Sequence, residues 1–103
     1  MMSGINLFTP NAAGTSHIDA TTSTSSVALA PLGGNQVRVK NVDATNVVFI
    51  AFGTSAITAV VATGIPLGPG DVAGFTLPGG ATHAAAITAT GTASVYFTPG
   101  NGM

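Results

Sequence analysis

The sequence predicts an all-β fold: an antiparallel β-sandwich or jelly-roll-like barrel of about seven to eight strands, preceded by an extended N-terminal arm. Short runs of β-branched and aromatic residues recur between turn sequences rich in Gly, Pro and Asn, and no stretch has the pattern of a three-turn helix. The candidate strands are residues 26–30, 36–42, 47–52, 57–62, 72–77, 84–89 and 93–98.

Side-chain alternation assigns faces to two of these strands. Val37 and Val39 are predicted to face the core, and Arg38 and Lys40 to face outward, because side chains alternate between the two faces of a strand. The last candidate strand alternates in the same way, which places Tyr96 at a half-exposed surface where its polar tip can reach water.

Residues 47–52 are apolar on both faces. This pattern predicts a strand covered on one side by the core and on the other by a partner or by the arm. The surrounding charge-free stretch, residues 47–67, is long enough to be considered as a membrane span. Glycines in its middle and Pro66 near its end favour two buried strands joined by a turn.

Tight turns are predicted where Gly and Pro cluster, because these residues supply positive φ angles or a preset φ. The four turn sequences are residues 33–35, 68–71, 78–80 and 99–102.

The chain divides into an arm, residues 1–24, and a sandwich domain, residues 25–103. The arm is rich in Gly, Ser and Thr, and such a segment buries too little to order by itself. Two interpretations stay open: a terminus without fixed structure, or an arm that orders on a neighbouring subunit through Ile5, Leu7 and Phe8.

Charged residues make up 5% of the 103 residues, whereas ordinary soluble domains carry about 25%. A surface so poor in charge tends to associate, so we expect a protein that covers much of its surface with a partner. Arg38 and Lys40 are the only cations, which argues against nucleic-acid binding, and no secretory signal is visible. The predicted protein-interface residues are Ile5, Leu7, Phe8, Arg38, Lys40 and Tyr96.

The residues for catalysis are scarce. The chain has no Cys and no Glu, and its three Asp residues are far apart in sequence. The segment around Ser55 lacks the second Gly of a nucleophile elbow. His17, Asp19 and His83 form a poor metal cage, so we expect no enzyme activity, no metal and no cofactor. Tyr96 with loop Asn and Asp residues keeps a carbohydrate-binding module open as an alternative.

Four sequence runs carry a resemblance: VRVKNV at residues 37–42, VVFIAFG at 47–53, PLGPG at 66–70 and GTASVYFTPG at 91–100. Together they resemble the small β-sandwich decoration, or cement, proteins of tailed bacteriophages, over roughly residues 25–102. The shared features are strand and turn patterns, and no site residue transfers by position.

The resemblance implies a structural protein on the capsid exterior, made in the host cytoplasm. It implies a homodimer or homotrimer that binds and stabilises the lattice of the major capsid protein, without nucleic acid or membrane as partners. The alternatives are the lectin-like carbohydrate-binding module and another subunit of a phage head or tail assembly.

Overall fold

The computed structural model describes residues 9–10, 14–29, 36–77 and 81–101, and these residues form nine strands and no helix. The strands are β1 (Thr9–Pro10), β2 (Ser16–Ala20), β3 (Ser25–Ala28), β4 (Gln36–Asn41), β5 (Val48–Gly53), β6 (Ile65–Leu67), β7 (Val72–Thr76), β8 (His83–Thr88) and β9 (Ala93–Asn101).

The strands form two antiparallel sheets, which confirms the predicted all-β sandwich. In the first sheet the order is β1–β9–β4–β7, and β2 also pairs with β9. In the second sheet the order is β3–β8–β5–β6. Because β4 pairs with one side of β9 over residues 95–100, β1 and β2 must share the other side. The nine strands therefore occupy eight positions.

The core lies between the two sheets. Val37, Val39 and Phe97 of the first sheet and Ile50 of the second are each 0% exposed. Phe52 of β5 links the sheets: its ring centroid lies 5.6 Å from that of Phe75 and 6.3 Å from that of Phe97. The Phe52–Phe97 pair is edge-to-face, an arrangement that stabilises a core beyond the area that it buries.

The strand predicted over residues 57–62 is wrong. The segment from residue 54 to residue 64, here the covering loop, lies on the outer face of the second sheet. A Cβ on Gly53 would meet the side chain of Ile57, and a Cβ on Gly64 would lie 2.8 Å from Cβ of Phe49. Ala59 is 3% exposed, and its N–H donates to Oγ1 of Thr24 at 2.8 Å. The cover predicted over the outer side of residues 47–52 is therefore provided in part by the covering loop of the same chain.

Residues 16–20, predicted to belong to the arm, instead form strand β2 of the first sheet. Ser16 to Ala20 pair with Phe97 to Ala93 of β9. Ile18 and Ala20 are buried in the core. This part of the segment therefore belongs to the folded unit. The predicted anchors Ile5, Leu7 and Phe8 lie outside the described residues.

The turn predicted at residues 68–71 is confirmed. The N–H of Asp71 donates to the carbonyl of Gly68 at 3.0 Å, and Gly70 has a φ of 76°. Pro at the second position and a glycine with positive φ at the third are typical of a type II turn. The predicted turns at residues 33–35 and 78–80 lie outside the described residues.

The turn predicted from Pro99 onward is wrong, since β9 continues through Pro99 to Asn101. The reason lies in the neighbouring strands. β2 pairs with β9 up to Phe97, and β1 pairs with it from Gly100. Pro99 lies between these two paired segments. No residue of β1 or β2 is paired with it, so its lack of an N–H costs no hydrogen bond between strands.

Asn41 joins the two sheets at one end of the sandwich. It is 0% exposed, and its Nδ2 donates to the carbonyls of Asn46 at 2.9 Å and Leu67 at 3.0 Å. Its Oδ1 accepts the N–H of Asp43 at 2.9 Å. A buried amide with all these bonds made holds the β4–β5 connection against β6.

No helix within the described residues is both long and apolar enough to cross a membrane.

Candidate protein-binding face

The outer face of the first sheet, here the open face, carries most of the chain's ionisable side chains. Its members alternate with the buried core residues along each strand. They are His17, Asp19, Gln36, Arg38, Lys40, Val72, Gly74, Thr76, Ser94, Tyr96 and Thr98.

One row of residues crosses all four strand positions of this face. His17 of β2 pairs with Tyr96 of β9, Tyr96 pairs with Lys40 of β4, and Lys40 pairs with Val72 of β7. Directly opposed residues on one face of a sheet are close enough to interact. The row therefore sets an aromatic pair, a cation and an aliphatic side chain side by side.

The neighbouring row is more polar. Thr98 pairs with Arg38, and Arg38 pairs with Gly74. Oγ1 of Thr98 lies 2.9 Å from Oγ1 of Thr15. Because Gly74 has no side chain, the open face is recessed beside Arg38.

At the β2 edge, Asp19 accepts two side-chain hydrogen bonds on one oxygen. Oγ of Ser94 donates to Oδ1 at 2.7 Å, and Nε2 of His17 lies 2.7 Å from the same oxygen. These bonds, that of Ser94 first and that of His17 second, lower the pKa of Asp19 below its ordinary value of 3.8. Because an ionised carboxylate only accepts hydrogen bonds, Nε2 of His17 carries the hydrogen.

His17 and Tyr96 stack on each other. Their ring centroids are 4.6 Å apart and their planes are inclined by 16°. Tyr96 is 39% exposed, which confirms the half-exposed position predicted for it. The bond to Asp19 fixes the imidazole, and the imidazole in turn supports one face of the phenol ring.

The open face also presents apolar surface. Val72 is 55% exposed, and Val42, which continues the outward series of β4, is 45% exposed. The exposure of Arg38 and Lys40 confirms the predicted alternation of this strand. Tyrosine and arginine are among the residue types enriched at protein interfaces. By contrast, the covering loop occupies the outer face of the second sheet.

The histidines and aspartates considered as metal ligands do not converge. His17 and Asp19 lie on the open face, whereas His83 lies in β8 of the second sheet, with Nδ1 2.8 Å from Oγ1 of Thr82. Among the described residues, no three His, Cys, Asp or Glu side chains are grouped so that they could hold a metal ion.

The structure brings Arg38, Lys40 and Tyr96 of the predicted interface together on one surface. His17 and Asp19, which were not among the predicted interface residues, join them on this surface. The alternation of Ile18 and Ala20 with these two polar residues is a strand signal that could have been used.

No protein-family model, curated protein or solved structure matched this chain.

Proposed function

We propose that the protein is a non-catalytic structural module that binds other protein surfaces, and that it acts as a decoration, or cement, protein on the outside of a phage capsid. The observation that supports this is the contrast between the two sheet faces. One is covered by the chain's own loop, with Ala59 buried, and the other exposes Tyr96 and Val72 beside both cations. The open face is thus a strand-built surface that the covering loop leaves uncovered.

The composition of the open face favours a protein partner. Among the described residues, this face carries two cations, Arg38 and Lys40, and one acid, Asp19. A partner surface with carboxylates or carbonyl oxygens opposite β4 would complement these cations. With so few charges involved, we expect the binding to depend weakly on salt concentration.

Stabilisation of the shell follows from mass action. A protein that binds the assembled lattice better than its separated subunits makes the lattice harder to open. The open face is the surface of a sheet of hydrogen-bonded strands. It can therefore contact two capsid subunits without a change in its own shape.

The direct experiment mixes the purified chain with undecorated phage shells. We expect co-sedimentation at a fixed ratio to the major capsid protein and a rise in the temperature at which the shells open. Shells that sediment without the chain and melt unchanged would contradict the proposal.

Carbohydrate binding is the second candidate, and the stack of His17 on Tyr96 is the observation that favours it. A half-exposed aromatic ring beside the carboxylate of Asp19 resembles the platform and acceptor that sugar sites use. A glycan array separates the two candidates. Saturable binding to one glycan class, lost in Tyr96→Ala, would favour the lectin-like function over the capsid function.

A further inference from the structure

Among the described residues, the strand β7 forms one edge of the first sheet and pairs with β4 alone. The N–H of Asn41 donates to the carbonyl of Asp71 at 3.0 Å, which makes this a hydrogen-bonded pair of the β4–β7 ladder. Such pairs alternate along an antiparallel ladder, so Ala73 and Phe75 direct their backbone groups toward β4. The backbone N–H and C=O groups of Val72, Gly74 and Thr76 therefore point away from the sheet.

Both edges of the second sheet are blocked against strand addition. β6 has three residues, and the central one is Pro66, which has no N–H to donate. At the other edge, β3 has four residues, and Oγ of Ser16 donates to the carbonyl of its last residue, Ala28, at 3.0 Å. Natural sheets protect their edges with such short, interrupted or covered strands.

The β2 edge of the first sheet is blocked as well. The N–H of Val42 donates to the carbonyl of Ser94, so the alternation along β9 leaves only His17 and Asp19 of β2 directed outward. Strand addition at this edge is hindered by the charge of Asp19. It is also hindered by the break between β1 and β2, whose registers on β9 differ by three residues. Within the described part of the chain, β7 differs from all three because it has neither charge, proline nor cover.

We propose that a second copy of this chain pairs with β7 in antiparallel fashion about a two-fold axis at Gly74. In this register, Val72 lies opposite Thr76 of the second copy on the open face, and Ala73 lies opposite Phe75 of the second copy on the core face. Both pairings occur twice, as two-fold symmetry requires. Val72 of each copy then lies against Thr76 of the other, and Phe75 of each copy lies against Ala73 of the other, as cross-strand neighbours.

The pairing joins the two open faces into one continuous surface. The backbone groups of Val72, Gly74 and Thr76 gain partners, and the side chain of Val72, 55% exposed in the single chain, becomes partly covered. Two sets of Tyr96, Arg38 and Lys40 then lie on the same side of one sheet. The inference rests on the backbone geometry of β7 and stands independently of what the open face binds.

Mass measurement of the full chain in solution, without shells, tests this pairing over a range of concentrations. We expect a monomer–dimer equilibrium with a dissociation constant of about 10–100 μM, since a three-residue edge is a small interface. Val72→Lys places a charge on the edge and should raise that constant at least about tenfold. Val60→Lys, at a side chain 50% exposed on the covering loop, is the matched control and should leave the constant unchanged.

Hydrogen exchange reports the edge directly. The amides of Val72, Gly74 and Thr76 should exchange more slowly as the concentration of the natural chain rises, and should lose this dependence in Val72→Lys. If Val72→Lys fails to fold, Thr76→Lys replaces it. A chain that stays monomeric at millimolar concentration, or a dimer unaffected by the edge variant, would overturn the inference. Binding of shells by a monomeric chain would leave the proposed function standing.

Discussion

The imidazole of His17 lies on the phenol ring of Tyr96, with centroids 4.6 Å apart, although 78 residues separate them in the sequence. The pairing of β2 with β9 places them directly opposite each other. Asp19 holds the imidazole through Nε2 at 2.7 Å. The aromatic ring on the open face is thus ordered before any partner arrives, which lowers the entropy lost on binding.

Replacing Tyr96 with Ala should weaken binding to undecorated shells about 10- to 100-fold, as expected for a central aromatic residue of an interface. His17→Ala should weaken it less, because it removes only the support of the ring. Thermal unfolding should change little in Tyr96→Ala, since the side chain is 39% exposed. Val60→Ala, on the opposite side of the molecule, is the matched control. Equal losses for Tyr96→Ala and Val60→Ala would contradict this assignment.

Asn41→Ala should lower the free energy of unfolding by about 2–3 kcal/mol, because it removes the amide donor from one buried and one part-buried carbonyl. Those carbonyls belong to Asn46 and Leu67. Asn41→Asp keeps the shape and the Oδ1 acceptor but removes both donors and buries a charge, so the loss should be larger. Urea titration of the three proteins measures both changes. An alanine variant as stable as the natural chain would show that this amide does not join the sheets.

Gly64→Ala should destabilise the covering loop, since its Cβ would lie 2.8 Å from Cβ of Phe49 and 2.9 Å from the carbonyl oxygen of Val60. Gly53→Ala is the comparison, because its nearest neighbour is the movable end of Ile57 at 3.0 Å. Limited proteolysis should cut Gly64→Ala within residues 54–64 faster than Gly53→Ala. Identical cleavage of both variants would indicate that the loop does not lie on the second sheet.

Acid should weaken the fold through Asp43. The N–H of Asn46 first, and that of Thr45 second, hold the pKa of this carboxyl below its ordinary value of 3.8. A lowered pKa contributes stability above pH 3.8, and this contribution is lost as the pH falls through the folded-state value. Melting temperatures at pH 7 and pH 2 should therefore differ less in Asp43→Asn than in the natural chain. An equal difference in both would rule out this contribution.

Much of the fold could be predicted from local pattern, because alternation and turn residues are short-range signals. The strand at residues 36–41 and the Gly-Pro turn at residues 68–71 are examples. Residues 57–62 have a strand-like composition, but they form part of the covering loop, in which Ala59 is buried and the side chain of Ile57 lies against Gly53. From the sequence alone, Pro99 predicts a turn. The pairing of β1 and β2 with β9 shows instead that Pro99 lies opposite the break between these two strands. Such features depend on contacts between distant residues.

The open face could be predicted only in part, for the same reason. Alternation places Arg38, Lys40 and Tyr96 at exposed positions, yet the sequence holds no sign that His17 faces Tyr96. That contact depends on the register between β2 and β9. The open edge of β7 likewise depends on the strand order, which alternation does not determine.

The most direct measurement compares two charge variants in one binding assay on undecorated shells. Tyr96→Glu introduces an acid at the centre of the open face, and Val60→Glu introduces the same acid on the covering loop. We predict that the first loses co-sedimentation while the second binds at the ratio of the natural chain. Retained binding by Tyr96→Glu, with loss in Val60→Glu, would contradict the open face as the binding surface.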